Sequence, residues 1–214
     1  PPPVDLRGWR IAFSADFGYV EVAPDIAQRV EEAVAHLEAL GATVDRIDPG
    51  FSDPLKTFNT LWFAGATQAL EKLNEQQQAA LDPGFLDIAR RGQDVSLSAY
   101  LAARRERSEL TAQMAEFHQR YDLLVTPTMP IAPFAAGHNV PPGERYKDWM
   151  DWTPFSYPFN LTQQPAASLP CGLDNQGLPV GLHLVADKYQ DLKVLHAAQL
   201  LERYLPPLTP PGIA

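Results

Sequence analysis

Residues 9–47 read WRIAFSADFGYVEVAPDIAQRVEEAVAHLEALGATVDRI, and this stretch decides the fold class. Trp9 to Ser14 alternates side-chain character and then turns through Asp16 and Gly18, as a strand leaving a sheet does. A helix starts at Pro24-Asp25, where a proline's missing N–H costs nothing in the first turn. Ile26, Val30, Val34, Leu37 and Leu40 recur every three or four residues to make its apolar face, and Gly41 supplies the left-handed residue that ends it. Ala42 to Ile47 is a second short strand. Strand, helix and strand in so short a span place the two strands parallel with the helix over one face, which is α/β architecture.

Outward from that unit, residues 53–120 are helical in pattern, divided at Pro54, Pro83-Gly84 and Gly92-Gln93-Asp94. The longest helix is expected from Ser96 or Ser98 to Arg120, with Leu97, Tyr100, Leu101, Leu110, Met114 and Phe117 as its apolar stripe. Tyr121 to Thr126 reads as a buried strand stopped by Pro127. Residues 127–158 are dense in proline and aromatic residues, and a long loop of that kind inside a domain is expected to form a lid or pocket wall. Ala166–Pro170 and Val180–Val185 are two more strands, joined through Gly172, Asn175 and Gly177 closely enough to run antiparallel. A last helix over Tyr189–Tyr204 carries Leu192, Leu195, His196, Gln199, Leu200 and Arg203 at helical spacing. The expected fold is therefore α/β: a mixed sheet of about five strands with helices on its faces. Residues 1–8 read as a linker or truncation point, 9–205 as the domain and 206–214 as a Pro-rich tail.

Composition narrows the function. Apolar residues make up 45% and charged residues 20%, which describes a packed globule and excludes general disorder. A net charge of −9 disfavours nucleic acid and anionic membrane as direct partners and suits a small neutral substrate. With Cys171 as the sole cysteine no intrachain disulfide can form, and a reducing cytoplasm is the expected location. The five histidines lack metal-ligand spacing and no glycine loop could cradle a phosphate, so neither metal nor cofactor is expected. The start on Pro1-Pro2-Pro3 suggests that a segment upstream is missing.

Three segments carry a family resemblance. They are Tyr121-Asp122-Leu123-Leu124-Val125-Thr126-Pro127-Thr128-Met129-Pro130, the run from Asn160 through Gln163, Gln164 and Pro165 to Gly172, and Gly177-Leu178-Pro179-Val180-Gly181-Leu182-His183-Leu184. In this order and spacing, with the leading Gly8-to-Ala12 strand and the Leu40-Gly41-Ala42 helix exit, the chain resembles the C-terminal half of amidase-signature enzymes. That family of acyl-amide hydrolases includes the glutaminase subunit of tRNA-dependent amidotransferases. The resemblance implies hydrolysis of a carboxylic amide through a serine acyl-enzyme, driven by a serine nucleophile, a second serine in a cis peptide linkage and a lysine. Those residues lie in a Gly-Gly-Ser-Ser-Gly type segment ahead of the region matched. Ser14, Ser52, Ser96, Ser98, Ser108, Ser156 and Ser168 never stand side by side, and Lys56, Lys72, Lys147, Lys188 and Lys193 sit in polar contexts. No catalytic residue is therefore assigned, and the chain is expected to be silent alone.

What remains would build part of the acyl pocket, with Arg107, Thr128, Trp149, Trp152, Asn160 and Gln163 as candidate substrate-binding residues. Arg107 matches an arginine that holds a substrate carboxylate in the amidotransferase enzymes, a role suited to a guanidinium, though it also reads as a solvated arginine on an Arg-rich helix. Thr128 and Asn160 would tie the two pocket loops together by hydrogen bonds. Trp149 and Trp152 would line an aromatic pocket or simply pack their own loop. Gln163 stands where the family carries glycine; if the backbone there is left-handed, glutamine costs about 1 kcal/mol. Asp151 lies two residues out of register with a family aspartate, at Thr153, and takes no role. Cys171, His183 and Asp187 could make a thiol triad, but a Pro-Cys-Gly cysteine reads first as a small core residue. The expected partners are a small-molecule amide, the absent N-terminal half and a second copy joined through an apolar face left open near residues 123–170. The rival reading is a stand-alone binding or assembly module with an amidase half-fold, marked by a well-covered surface.

Overall fold

The computed structural model describes residues 4–205; the Pro-rich tail lies outside the described residues. Five strands form one sheet in the order β2-β1-β3-β5-β4: β1 (Arg10–Phe13), β2 (Thr43–Arg46), β3 (Leu123–Pro127), β4 (Ala166–Leu173) and β5 (Pro179–Val185). β1 pairs parallel with both β2 and β3, while β5 pairs antiparallel with β3 and β4. The sheet is mixed, as the short β4–β5 connection requires. The parallel pair is bridged by α1 (Pro24–Ala39), which begins on its proline and buries Ile26, Val30, Val34 and Leu37. Gly41, at φ 97°, turns the chain from it into β2.

The sheet's two faces are built differently. Ile11, Phe13, Leu123, Val125, Leu169, Leu182 and Leu184 project into a core closed by α1 and α7 (Asp191–Leu201). Each such side chain contributes about 1.5–3 kcal/mol by leaving water. On the opposite face Ala12, Leu124 and Val185 meet Phe17, Phe51, Phe155 and Phe159 beneath α5 (Leu97–Phe117) and α6 (Tyr157–Thr162). A third cluster joins α2 (Leu55–Leu70) to α4 (Pro83–Arg91), with the one-turn α3 (Glu75–Ala79) between them in sequence and a 3₁₀ turn at Gly92–Asp94 after them.

Three expectations need correction. The buried stripe of α5 is Ala103, Leu110, Met114 and Phe117, whereas Leu97 and Leu101 are 74% and 54% exposed. At 3.6 residues per turn those two leucines lie roughly 120–160° around the helix from that stripe. The same arithmetic applies to α7, which buries Val194, Ala197, Leu200 and Leu201 and leaves Leu192 and Leu195 outside. Pro127 does not stop β3: it is the strand's last residue and pairs with Leu182. Nor is there an open apolar face over 123–170, because no large apolar residue there is exposed. The exposed ones stand at Val4, Tyr19 and Ile47, on the early turns of α5, at Leu173, and along Tyr189–Leu195 and Tyr204.

Candidate functional site

Where β3 exits, the second face runs out of helical cover. Residues 128–134, irregular in structure, and the neighbouring ends of β4 and β5 line a cleft of about 500 Å³ there. Thr128, Ser168 and Gly181 contribute to it from three adjacent strand ends. The Thr128 N–H donates to the Gly181 carbonyl at 2.9 Å, and the Thr128 and Ser168 hydroxyls are bonded to each other at 2.7 Å. A methyl group at Gly181 would come within 2.7 Å of one hydroxyl and 2.8 Å of the other, so only glycine leaves this pair intact. Ile131, Phe134, Pro170 and Pro179 make the cleft mostly apolar, and Trp152 meets the Phe134 ring edge to face at 5.0 Å. Two polar side chains in the lining carry atoms with no partner. Asp174, 6% exposed, accepts the Gln176 and Leu178 N–H groups on Oδ1, each at 2.8 Å, while its buried Oδ2 accepts nothing. The buried Trp152 Nε1–H donates to nothing.

The candidates divide among three places. Thr128 and Trp152 line the cleft. Arg107, Asn160 and Gln163 surround α6. The Arg107 Nε donates to the Leu161 carbonyl at 2.7 Å, satisfying an acceptor that the helix end leaves open. Gln163 caps that end in the left-handed conformation, φ 59° and ψ 38°, and its side chain accepts from Lys188 Nζ at 2.9 Å. Gln164 locks the segment to the sheet by accepting from the Thr162 hydroxyl at 2.7 Å and donating to the Ala186 carbonyl at 2.9 Å. Asn160 is exposed, and Thr128 takes Ser168 as its hydroxyl partner instead. Trp149 stands apart from Trp152. It packs on Trp62 at 6.2 Å and over Gly84, beside a bidentate Arg91–Asp148 pair at 2.6 and 2.9 Å that fastens the long loop to α4.

Charge and burial bear on the remaining groups. His183 is buried against Phe159 at 5.5 Å, 3.4 Å from the Thr126 hydroxyl, and desolvation pushes its pKa down to about 4. Cys171 lies in the core under α1 on the opposite side of the sheet, and burial lifts its thiol to about 11. A thiolate relay between the two is therefore excluded by position as well as by protonation. Lys56, Lys72 and Lys147 are exposed, Lys188 is held by Gln163, and Lys193 pairs with Asp122 at 2.6 Å. Among the described residues no group of three His, Cys, Asp or Glu is placed to hold a metal, and no helix is long and apolar enough to cross a membrane.

The family model described as Amidase matches residues 3–195. The chain belongs to the amidase family. Its relatives include the acylamidase of Rhodococcus erythropolis, 28% identical over 211 residues, and the GatA-type component of the glutamyl-tRNA(Gln) amidotransferase of Gloeobacter violaceus, 29% identical over 225. The match covers 94% and 93% of this chain but 43% and 45% of those two proteins, so this amidase-family chain spans less than half the length of these curated relatives. A bacterial aryl acylamidase of the amidase-signature family superposes with a TM-score of 0.76 at 26% identity, over 93% of this chain and 44% of that one. An amidase crystal structure, 21% identical, shares the fold with a TM-score of 0.82.

Sequence reasoning named Ser168 and Gly181 only as parts of a family segment and did not single out Asp174. A signal existed for each. A glycine inside an otherwise apolar strand marks a close approach, and an aspartate two residues before a backbone donor in a turn is an Asx-turn signature.

Proposed function

We infer that this chain forms one part of an amidase that hydrolyses a carboxylic amide through a serine acyl-enzyme, and that its chemistry depends on residues outside these 214. The observation that carries the reading is the family match across nearly the whole chain, set beside a sequence without adjacent serines. The hydroxyls at hand support it. Ser14 is buried and spends its hydroxyl on Asp48 at 2.6 Å, and Ser168 is bonded to Thr128 with no base in contact. A nucleophile needs a base within hydrogen-bond reach, which neither has. In this reading α6, with Arg107 and Gln163 at its end, and the cleft with Thr128 and Trp152 are pocket walls. The substrate is a small-molecule amide, and the partner is the remaining amidase sequence, placed along the unpaired edge of β4.

The well-covered sheet favours a second reading, a stand-alone binding or assembly module with an amidase half-fold. The reading frame upstream of Pro1 separates the two. A lysine and a glycine-flanked serine pair encoded there, with amidase activity in the joined chain, support the first reading. A frame without them supports the module.

A further inference from the structure

We propose that the cleft beside Thr128 is a recognition site for a small apolar amide, held through Asp174 and Trp152. The case rests on matching an unused acceptor with an unused donor. An ionised carboxylate only accepts and an indole N–H only donates. Asp174 Oδ2 and Trp152 Nε1 are both buried and both unpaired, in side chains that line the same cleft. Leaving either unpaired costs about 1–3 kcal/mol, which a ligand supplying the missing partner would recover. A secondary amide carries one N–H and one carbonyl, the complement of this pair, whereas an ammonium ion would satisfy Asp174 alone and an ester Trp152 alone. Phe134, Ile131 and Pro179 offer apolar surface for the groups flanking the amide, and about 500 Å³ is within the range of small-ligand sites. Both atoms are shielded from water, so binding requires the irregular wall of residues 128–134 to shift. The recognition stands on this geometry alone; calling the bound amide a substrate rests on the amidase reading.

The test titrates the ¹⁵N-labelled 214-residue chain with N-benzylacetamide and follows the Trp152 indole resonance, assigned through its loss in Trp152→Phe. A saturable shift is expected, with benzyl acetate, which lacks the N–H, binding at least tenfold more weakly. Asp174→Asn keeps a carbonyl oxygen for the two backbone donors and replaces the free oxygen, so it should retain the melting temperature and weaken binding at least tenfold. The wild-type amide and ester comparison decides the matter if that variant fails to fold. Absence of a saturable shift, equal binding of amide and ester, or unchanged affinity in a folded Asp174→Asn overturns the proposal. Tighter binding of benzylammonium, or of an N-acetyl-leucine dipeptide amide, also overturns it, the first in favour of a cation site and the second of a polypeptide segment. Because binding is read without turnover, a negative result here leaves the amidase reading standing, and a bound amide leaves the proposal standing where no hydrolysis is ever found.

Discussion

The two faces of the sheet divide the labour of this molecule. On one, α1 and α7 close over an apolar core in which Ile11, Leu37, Leu123, Leu182 and Leu184 are wholly removed from water. On the other, the cover of α5 and α6 stops at Phe159 and His183, and beyond it lie a hydroxyl pair, a cleft and two unpaired polar atoms. A face packed without gaps gains stability from each methylene. A face left open at one end gives up part of that gain and keeps a place where something else can sit.

That contrast can be broken by mutation. Leu182→Ala, on the closed face, should cost about 2–5 kcal/mol through lost burial and a residual cavity, read as a fall in the urea midpoint. The neighbouring residue on the open end should behave differently. Gly181→Ala forces apart the Thr128 and Ser168 hydroxyls at a cost of about 1–3 kcal/mol, and it should abolish ligand shifts at Trp152 while the core stays intact. An equal loss in both variants, with ligand binding retained in the second, would erase the distinction.

His183 gives the open face a pH signature. Its pKa falls from the usual 6.5 to about 4 on folding, so the unfolded chain binds the extra proton first as pH drops. The neutral form thus contributes stability that is full above about pH 6.5 and is lost as pH falls towards 4, on the order of 1–3 kcal/mol. His118 is lowered in the same direction by burial, so the readout is the difference between wild type and His183→Gln across pH 4–7. Parallel stability curves would contradict it. The smallest effect belongs to Gln163→Gly, which relieves a left-handed side-chain residue worth up to about 1 kcal/mol but gives up the contact with Lys188, and a slight rise in melting temperature is expected.

The closed face was the legible part of the sequence. Pro24, the Ile26–Leu40 stripe and Gly41 announce a helix between parallel strands by local rules, and the spacing through Gly172 and Gly177 announces the hairpin. What misled were leucines. Leu97 and Leu192 fit a helical period as well as any core residue does, and only the packing partners reveal which phase of the helix turns inward. The cleft was harder still, since it joins Thr128, Trp152, Ser168, Asp174 and Gly181 from well-separated parts of the chain. Its polar members show their importance only as unpaired atoms, which a sequence does not display. Trp149 and Trp152 are near neighbours in sequence, yet they separate because one finds Trp62 and Gly84 and the other Phe134.

The central claim is that these 214 residues hold the scaffold of an amidase without its proton-relay groups. The most direct measurement is hydrolysis of a simple aryl amide by the purified chain. The account predicts a rate indistinguishable from buffer, for wild type and Ser168→Ala alike. Turnover by the wild-type chain that disappears in Ser168→Ala would contradict it.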